Sequence, residues 1–167
     1  MVYALKVSQN FYGEMFLKAL GASGGVGTID LGRQTVTNTL GAWGLPTGAL
    51  VMSDGSGLSR YDYVTADLVV GILAHMWTDE TLRGSYVAAL PVGGHDGTLD
   101  NRMRNSDLDR LVQAKTGTIA NVRALSGYLT TKSGTKLAFS IIANNFTAPS
   151  AQVDAIMEAA LARLAGD

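Results

Sequence analysis

The chain has no cysteine, which excludes a disulfide framework and thiolate metal sites while leaving the compartment open. Nor does it carry an excess of charge of either sign: the net charge is −1 over 167 residues, and no Lys/Arg cluster interrupts that balance. Without a basic field there is nothing to gather a phosphate backbone, so nucleic acid is excluded as a partner. Long hydrophobic runs are missing too. The longest, such as Leu68 to Leu73 and Ala138 to Ala143, fall far short of the ~20 residues of a membrane span. Residues 1–20 show no basic region followed by an apolar core and cleavage site, so no export signal is expected in this chain. Gly24-Gly25-Val26-Gly27 lacks the spacing and the following lysine of a phosphate loop and is read as a flexible connection. No internal repeat or low-complexity segment is found.

What is present suffices for one core. With 47% hydrophobic residues, the length predicts a single domain over residues 1–167. Tyr12, Met15, Phe16, Ala19 and Leu20 share one helical face, and Gly21 follows as a stop, which predicts a helix from about Gln9 to Leu20. Ile29, Val36, Leu40 and Trp43 mark a second helix, ended by Gly44-Leu45-Pro46, where the proline forbids continuation. Ser53 to Arg60 is too polar and glycine-rich for a core element and reads as a shaped loop. Thr65 is an N-cap for a third helix whose apolar stripe is Val69, Ile72, Leu73 and Met76, with His75 a packed or surface residue rather than a ligand.

Leu90 to Leu99 reads as a second polar, glycine-rich loop, and its adjacent His95 and Asp96 lack the geometry of a base and its orienting acid. The last third is the clearest region. Leu125, Gly127 and Leu129 alternate with Ala124, Ser126 and Tyr128, and Leu137, Phe139, Ile141 and Ala143 alternate beyond the turn Lys132 to Thr135. This is a hairpin, preceded by a strand from Val112 to Ile119 and followed by a helix carrying Val153, Ile156, Met157, Ala160, Leu161 and Leu164. The predicted fold is α/β of the α+β kind, an antiparallel sheet flanked by helices.

The strand Val112 to Ile119 is interrupted by Lys115-Thr116-Gly117-Thr118, and a buried strand gains nothing from a cation followed by a residue without a side chain. The glycine admits a ligand close to the backbone, the two hydroxyls lie on one side of the strand, and Lys115 adds positive charge, a set suited to a carboxylate. An edge strand protected by a lysine accounts for the same residues structurally. Ser8 and Asn10 stand two apart and face one cleft only if the backbone turns at the head of the helix. Their structural reading is a cap at Ser8 and a first-turn residue at Asn10.

Taken together, Ser8-Gln9-Asn10, Asp54-Gly55-Ser56-Gly57-Leu58-Ser59 and Lys115-Thr116-Gly117 resemble the penicillin-recognising serine enzymes, and the likeness extends over Lys6 to Glu14, Asp54 to Arg60, Leu90-Pro91-Val92-Gly93-Gly94 with Asp96-Gly97-Thr98-Leu99, and Ala114 to Thr118. Within them the set is similar to the class C low-molecular-mass penicillin-binding proteins, D-alanyl-D-alanine carboxypeptidases and endopeptidases of bacterial peptidoglycan. The resemblance covers nearly the whole chain, in order. It implies part of a transpeptidase-like domain of the serine β-lactamase and penicillin-binding-protein type, periplasmic or otherwise extracytoplasmic, needing no metal or cofactor. In that family the nucleophile lies in an N-terminal Ser-x-x-Lys, separated from Ser-x-Asn by inserted domains. Here the only match, Ser133-Gly134-Thr135-Lys136, straddles a hairpin turn, so its side chains lack the shared helical face that the chemistry needs.

The resemblance implies catalytic roles for Ser8, Asn10 and Lys115. Ser8 would relay a proton, Asn10 would hold the substrate amide, and Lys115 would supply charge. It implies substrate binding by Thr116, Gly117 and Thr118, the N–H of Thr118 forming half of an oxyanion hole, and by Arg60 at the peptide stem. The implied ligands are a peptidoglycan peptide or a β-lactam. The implied assembly is a homodimer or association with a missing N-terminal part. Two alternatives stand beside this expectation: a small serine hydrolase using Ser8, and a non-catalytic binding or assembly module.

Overall fold

The computed structural model describes residues 1–22 and 25–166, so Gly24 of the glycine run lies outside the described residues. Its centre is an antiparallel sheet of β1 (Val112–Ile119), β2 (Val122–Thr130) and β3 (Lys136–Asn144), in that spatial order. Lys115 stands opposite Ser126 in the β1–β2 register, and Gly127 opposite Phe139 in the β2–β3 register. The alternation expected from the sequence therefore sets the two faces. Leu125, Leu129, Val112, Ala114 and Phe139 pack against Val153, Met157, Leu161 and Ala165 of α6 (Ser150–Ala165). On the opposite face Tyr128 is buried with Leu73 and Leu90, and its hydroxyl donates to the Leu73 carbonyl at 2.7 Å, which gives a buried polar group its partner.

The remaining helices are α1 (Val2–Lys6), α2 (Asn10–Leu20), α3 (Ile29–Ala42), α4 (Ala66–Thr78) and α5 (Arg83–Ala89). Thr65 caps α4 as its sequence predicts, accepting from Leu68 N–H at 3.1 Å, and Thr28 does the same for α3. His75 stacks on Trp43 with ring centroids 3.9 Å apart, joining α4 to the end of α3. The short helices α1 and α5 have no counterpart in the sequence reading, because five and seven residues are too few to show a period.

The segment after α5 differs from the polar loop expected of it. Leu90, Pro91 and Leu99 are fully buried, and Val92 bridges to Gln113 of β1. The sequence shows its glycines, but its burial comes from lying along β1. The predicted apolar face of α2 is also placed differently from a core stripe. Leu17 is the buried residue of that helix, held where Gly32 of α3 abuts its carbonyl, while Phe11, Tyr12, Met15, Phe16 and Leu20 are exposed.

The loop from Ser53 to Asp62 is fastened to α2 by two glycines. A Cβ on Gly13 would stand 2.4 Å from the Gly55 carbonyl oxygen, and one on Gly55 would stand 2.4 Å from that of Gly13. The Glu14 carboxylate accepts from the Gly55 and Ser56 N–H groups, each at 3.1 Å. Asp54 accepts from Gly57 and Ser59 N–H at 2.6 and 2.8 Å, so the polar composition that marks the loop in the sequence is used to shape it.

A methyl group at this contact has nowhere to go. Gly55→Ala is expected to lower stability by about 1–3 kcal/mol through overpacking. Gly41→Ala, on the open side of α3 with nothing within 4 Å of its added Cβ, is expected to raise it by about 0.5–1 kcal/mol. Urea unfolding of the two variants beside the parent chain measures both signs.

Candidate functional site

The first half of β1 is hydrogen-bonded on both edges and the second half on one. Ala114 N–H donates to Pro91 O, and Gly93 N–H donates to Val112 O, each at 2.9 Å, on the side away from β2. Backbone groups alternate along a strand, so the N–H and C=O of Thr116 and Thr118 point to that same side. There segment 90–93 no longer accompanies the strand. The Thr116 carbonyl takes a hydrogen bond from its neighbour's Lys115 Nζ, and Thr118 N–H faces the gap without a backbone partner among the described residues.

Opposite this edge stands the turn between α1 and α2. Ser8 adopts φ 55°, a left-handed conformation that costs a residue with a Cβ about 1–3 kcal/mol. The hydroxyl of this strained turn meets Lys115, and the capping role at α2 falls to Gln9. Lys115 Nζ donates to Ser8 Oγ at 2.6 Å, across 107 residues of chain. Asn10 begins α2, and its exposed side chain lines the same cleft. The cap reading of Ser8 is thereby replaced: a positive φ cannot serve as the extended backbone of a cap.

The cleft, of about 270 Å³, lies between Ser8, Asn10 and Gly13 on one side and Lys115 to Thr118 on the other, with Gly55 to Leu58 as a third wall. Thr116 Oγ1 is bonded to Thr98 Oγ1 at 2.9 Å, and Thr118 Oγ1 accepts from the Arg123 guanidinium. A Cβ at Gly117 would press on that of Ala124 at 3.2 Å. Arg60 is exposed and lines a neighbouring hollow of about 530 Å³ that shares Gly57, Gly117 and Thr118 with the cleft.

Burial lowers the Lys115 ammonium from its ordinary value. Asp54 and Asp62 diverge: burial opposes ionisation of Asp54, yet its N–H donors outweigh that and hold it low, whereas burial keeps Asp62 high despite donors from Ser53 and Asp54. No group of three or more His, Cys, Asp or Glu side chains able to hold a metal occurs among the described residues. Ser133 is bonded to Thr131 and Thr135, and Lys136 to Thr130, so the Ser-x-x-Lys match of the hairpin turn makes no pair.

Arg123 went unread in the sequence, and Thr98 and the loop Gly55 to Leu58 were singled out there only within motifs, without the contacts that bring them to the cleft. Arg123 was within reach, because a two-residue turn at Ala120-Asn121 puts it opposite Thr118. Thr98 and the wall depend on long-range packing with no local signal.

The sequence profile of the D-Ala-D-Ala carboxypeptidase 3 (S13) family matches residues 1–165. A D-alanyl-D-alanine carboxypeptidase of Actinomadura sp. (strain R39) is 41% identical over 171 residues, an alignment covering 99% of this chain and 31% of that protein. The chain thus spans about a third of the length of this relative. Penicillin-binding protein 4 (dacB) of Haemophilus influenzae superposes with a TM-score of 0.87 at 24% identity, covering 96% of this chain and 38% of that one. A structure of the same protein complexed with a β-lactam superposes at 0.86 and 25% identity, covering 96% and 40%.

The depressed Lys115 carries a stability cost that depends on pH. With its folded value below the unfolded one, the unfolded chain binds more protons between the two, so stability rises with pH through that window. Lys115→Met is therefore expected to raise stability at pH 7. The gain should shrink as pH climbs toward the ordinary lysine value, as read from urea midpoints at pH 7 and pH 10.

Proposed function

Because the chain belongs to the D-Ala-D-Ala carboxypeptidase 3 (S13) family, we propose that residues 1–167 are one partial transpeptidase-like domain of a serine D-alanyl-D-alanine carboxypeptidase. They hold the substrate and relay its proton, while the nucleophilic serine and its lysine come from outside these residues. The observation that carries this reading is the Lys115 to Ser8 contact of 2.6 Å beside an open strand edge. A terminal carboxylate laid along that edge meets the Thr116 and Thr118 hydroxyls and the charge of Lys115, and Gly117 leaves room for it. Thr118 N–H then supplies half of an oxyanion hole for the adjacent carbonyl. Asn10 bonds the substrate amide, Ser8 passes a proton to the leaving amine, and Arg60 meets the peptide stem from the neighbouring hollow.

The ligands are a peptidoglycan stem peptide or a β-lactam in an extracytoplasmic setting. The β-lactam complex of the Haemophilus influenzae protein, whose fold this chain shares, supports that choice. The exposed aromatic face of α2 and the outer edge of β3 are where the rest of the domain would pack, or a second copy in its place. One observation favours a second reading: a lysine of lowered proton affinity in contact with a serine hydroxyl is also a means of activating that serine, which would make Ser8 a nucleophile.

Three measurements follow. N-acetyl-D-alanyl-D-alanine should bind the chain about tenfold or more tightly than its C-terminal amide, since hydrogen bonds to a charged group contribute about 1.5–3 kcal/mol. Equal affinity for acid and amide in a calorimetric titration would remove the carboxylate site. Intact-mass spectrometry with excess benzylpenicillin should show no adduct, and a stoichiometric adduct lost in Ser8→Ala would establish the second reading instead. Sedimentation at micromolar concentration should give a species near twice 17.5 kDa, because covering ~800 Å² per partner would remove the apolar α2 face from water. A single monomeric species would refute the assembly.

A further inference from the structure

Ser8 and Lys115 lie on unrelated elements, and something must hold them together. Two residues before Ser8, the Lys6 ammonium donates to Leu90 O at 2.7 Å and to the two Asp96 carboxylate oxygens at 2.8 and 2.6 Å, so all three of its N–H bonds have protein acceptors. Asp96 Oδ1 also accepts from Val92 N–H at 2.9 Å, which closes segment 90–96 around the ammonium. Gly97 follows at φ 59°, and a Cβ there would stand 2.6 Å from the Lys6 carbonyl oxygen, so the segment also meets the end of α1 backbone to backbone. The same segment is hydrogen-bonded to β1 at Val112 and Ala114, and beyond it Thr98 is bonded to Thr116. The contacts form a ring: Ser8, Lys6, Asp96, the 90–98 segment, β1, Lys115 and back to Ser8.

We propose that Lys6 and Asp96 are positioning residues of this site: their ion pair clamps the α1–α2 turn against segment 90–98 and so sets the distance from Ser8 to Lys115. The claim deepens the function proposed above and rests on its reading of Ser8 and Lys115 as a working pair. Geometry favours a positioning role over a merely stabilising one. The pair is partly exposed, with 18% and 36% of the Lys6 and Asp96 side chains accessible, which limits its weight as a stabiliser. Its placement two residues from a strained serine gives it leverage. Among the described residues the Ser8 side chain is hydrogen-bonded to Lys115, and the clamp seats the left-handed turn that carries it.

The groups facing Asp96 are Lys6 from α1 and His95 from its own segment. Burial works against the Asp96 carboxylate, but the Lys6 contacts and Val92 N–H outweigh that and hold it below the usual carboxylate range. A lowered folded value means that the clamp is intact above the ordinary carboxylate value and is lost as pH falls through the folded one.

The test reads the pair without any ligand. In the full 167-residue chain, carrying ¹⁵N and ¹³Cε-lysine labels, NMR follows the Ser8 amide and the titration of Lys115. Lys6→Met and Asp96→Asn should each displace the Ser8 amide resonance and raise the Lys115 midpoint toward its ordinary value, as the turn withdraws and water reaches the ammonium. Lys6→Arg should preserve both signals. Asp107→Asn, which removes an equal charge from the exposed Lys132 pair in the β2–β3 turn, should leave them unmoved. An unmoved Ser8 amide and Lys115 midpoint in folded Lys6→Met or Asp96→Asn would overturn the proposal, as would an equal response to Asp107→Asn.

Should neither clamp variant fold, the parent chain decides by itself on acidification. The Ser8 amide must then move with the Asp96 carboxyl, and a Ser8 signal indifferent to that titration rejects the clamp. A chain that binds N-acetyl-D-alanyl-D-alanine but fails these readouts loses only the clamp. A chain that passes them and binds no ligand loses the functional reading.

Discussion

Everything in the site depends on a strand that is paired on both edges for half its length and on one edge for the rest. Through Ala114 the outer edge of β1 is occupied by segment 91–93, and from Lys115 onward it is open. An open edge presents backbone donors and acceptors that must find a partner, and most proteins cover or charge it. Here the edge faces a cleft instead, with a partly dehydrated lysine at its start and a glycine within it. The sheet behind it is rigid because α6 fills one face and Tyr128 locks the other to α4. A Thr118 N–H without a backbone partner among the described residues, on so fixed a frame, is preorganised, which gives it more electrostatic value than the same group in a mobile loop.

Much of this frame is written locally. The bounds of β1, the β2–β3 hairpin and the cap of α4 follow from period-two alternation, turn residues and a threonine before an apolar stripe. The grouping of Lys115, Thr116, Gly117 and Thr118 is legible for the same reason, since they break a strand pattern that is otherwise regular. The rest was not legible, because it lies in contacts between distant positions. No local pattern announces that Ser8 takes a positive φ and leaves the cap to Gln9. Lys6 with Asp96, and Thr98 with Thr116, are pairs of ordinary residues whose meaning exists only once the chain has closed on itself.

The α2 helix shows the limit of periodicity in another way. Its apolar stripe is present as the spacing requires, yet among the described residues the buried position is Leu17, on the side that meets α3. Periodicity states that a face needs cover without stating what covers it. Ile156 and Leu164 of α6 repeat the lesson, since Val153, Met157 and Leu161 are the members of that stripe the sheet takes up. Relatives about three times as long carry further chain beside the matched region, in keeping with surfaces that need cover.

The meeting of Gly13 with Gly55 bears on how this cleft can vary. Its width on that side is a separation between two backbones, with no side chain interposed. Where side chains line a wall, a pocket can be widened or narrowed by single substitutions of a methyl group at a time. Here neither residue has anything left to remove, and adding an atom drives the walls apart. Resizing this side of the cleft in this chain therefore calls for a change in the number of residues in the loop or in the register of α2.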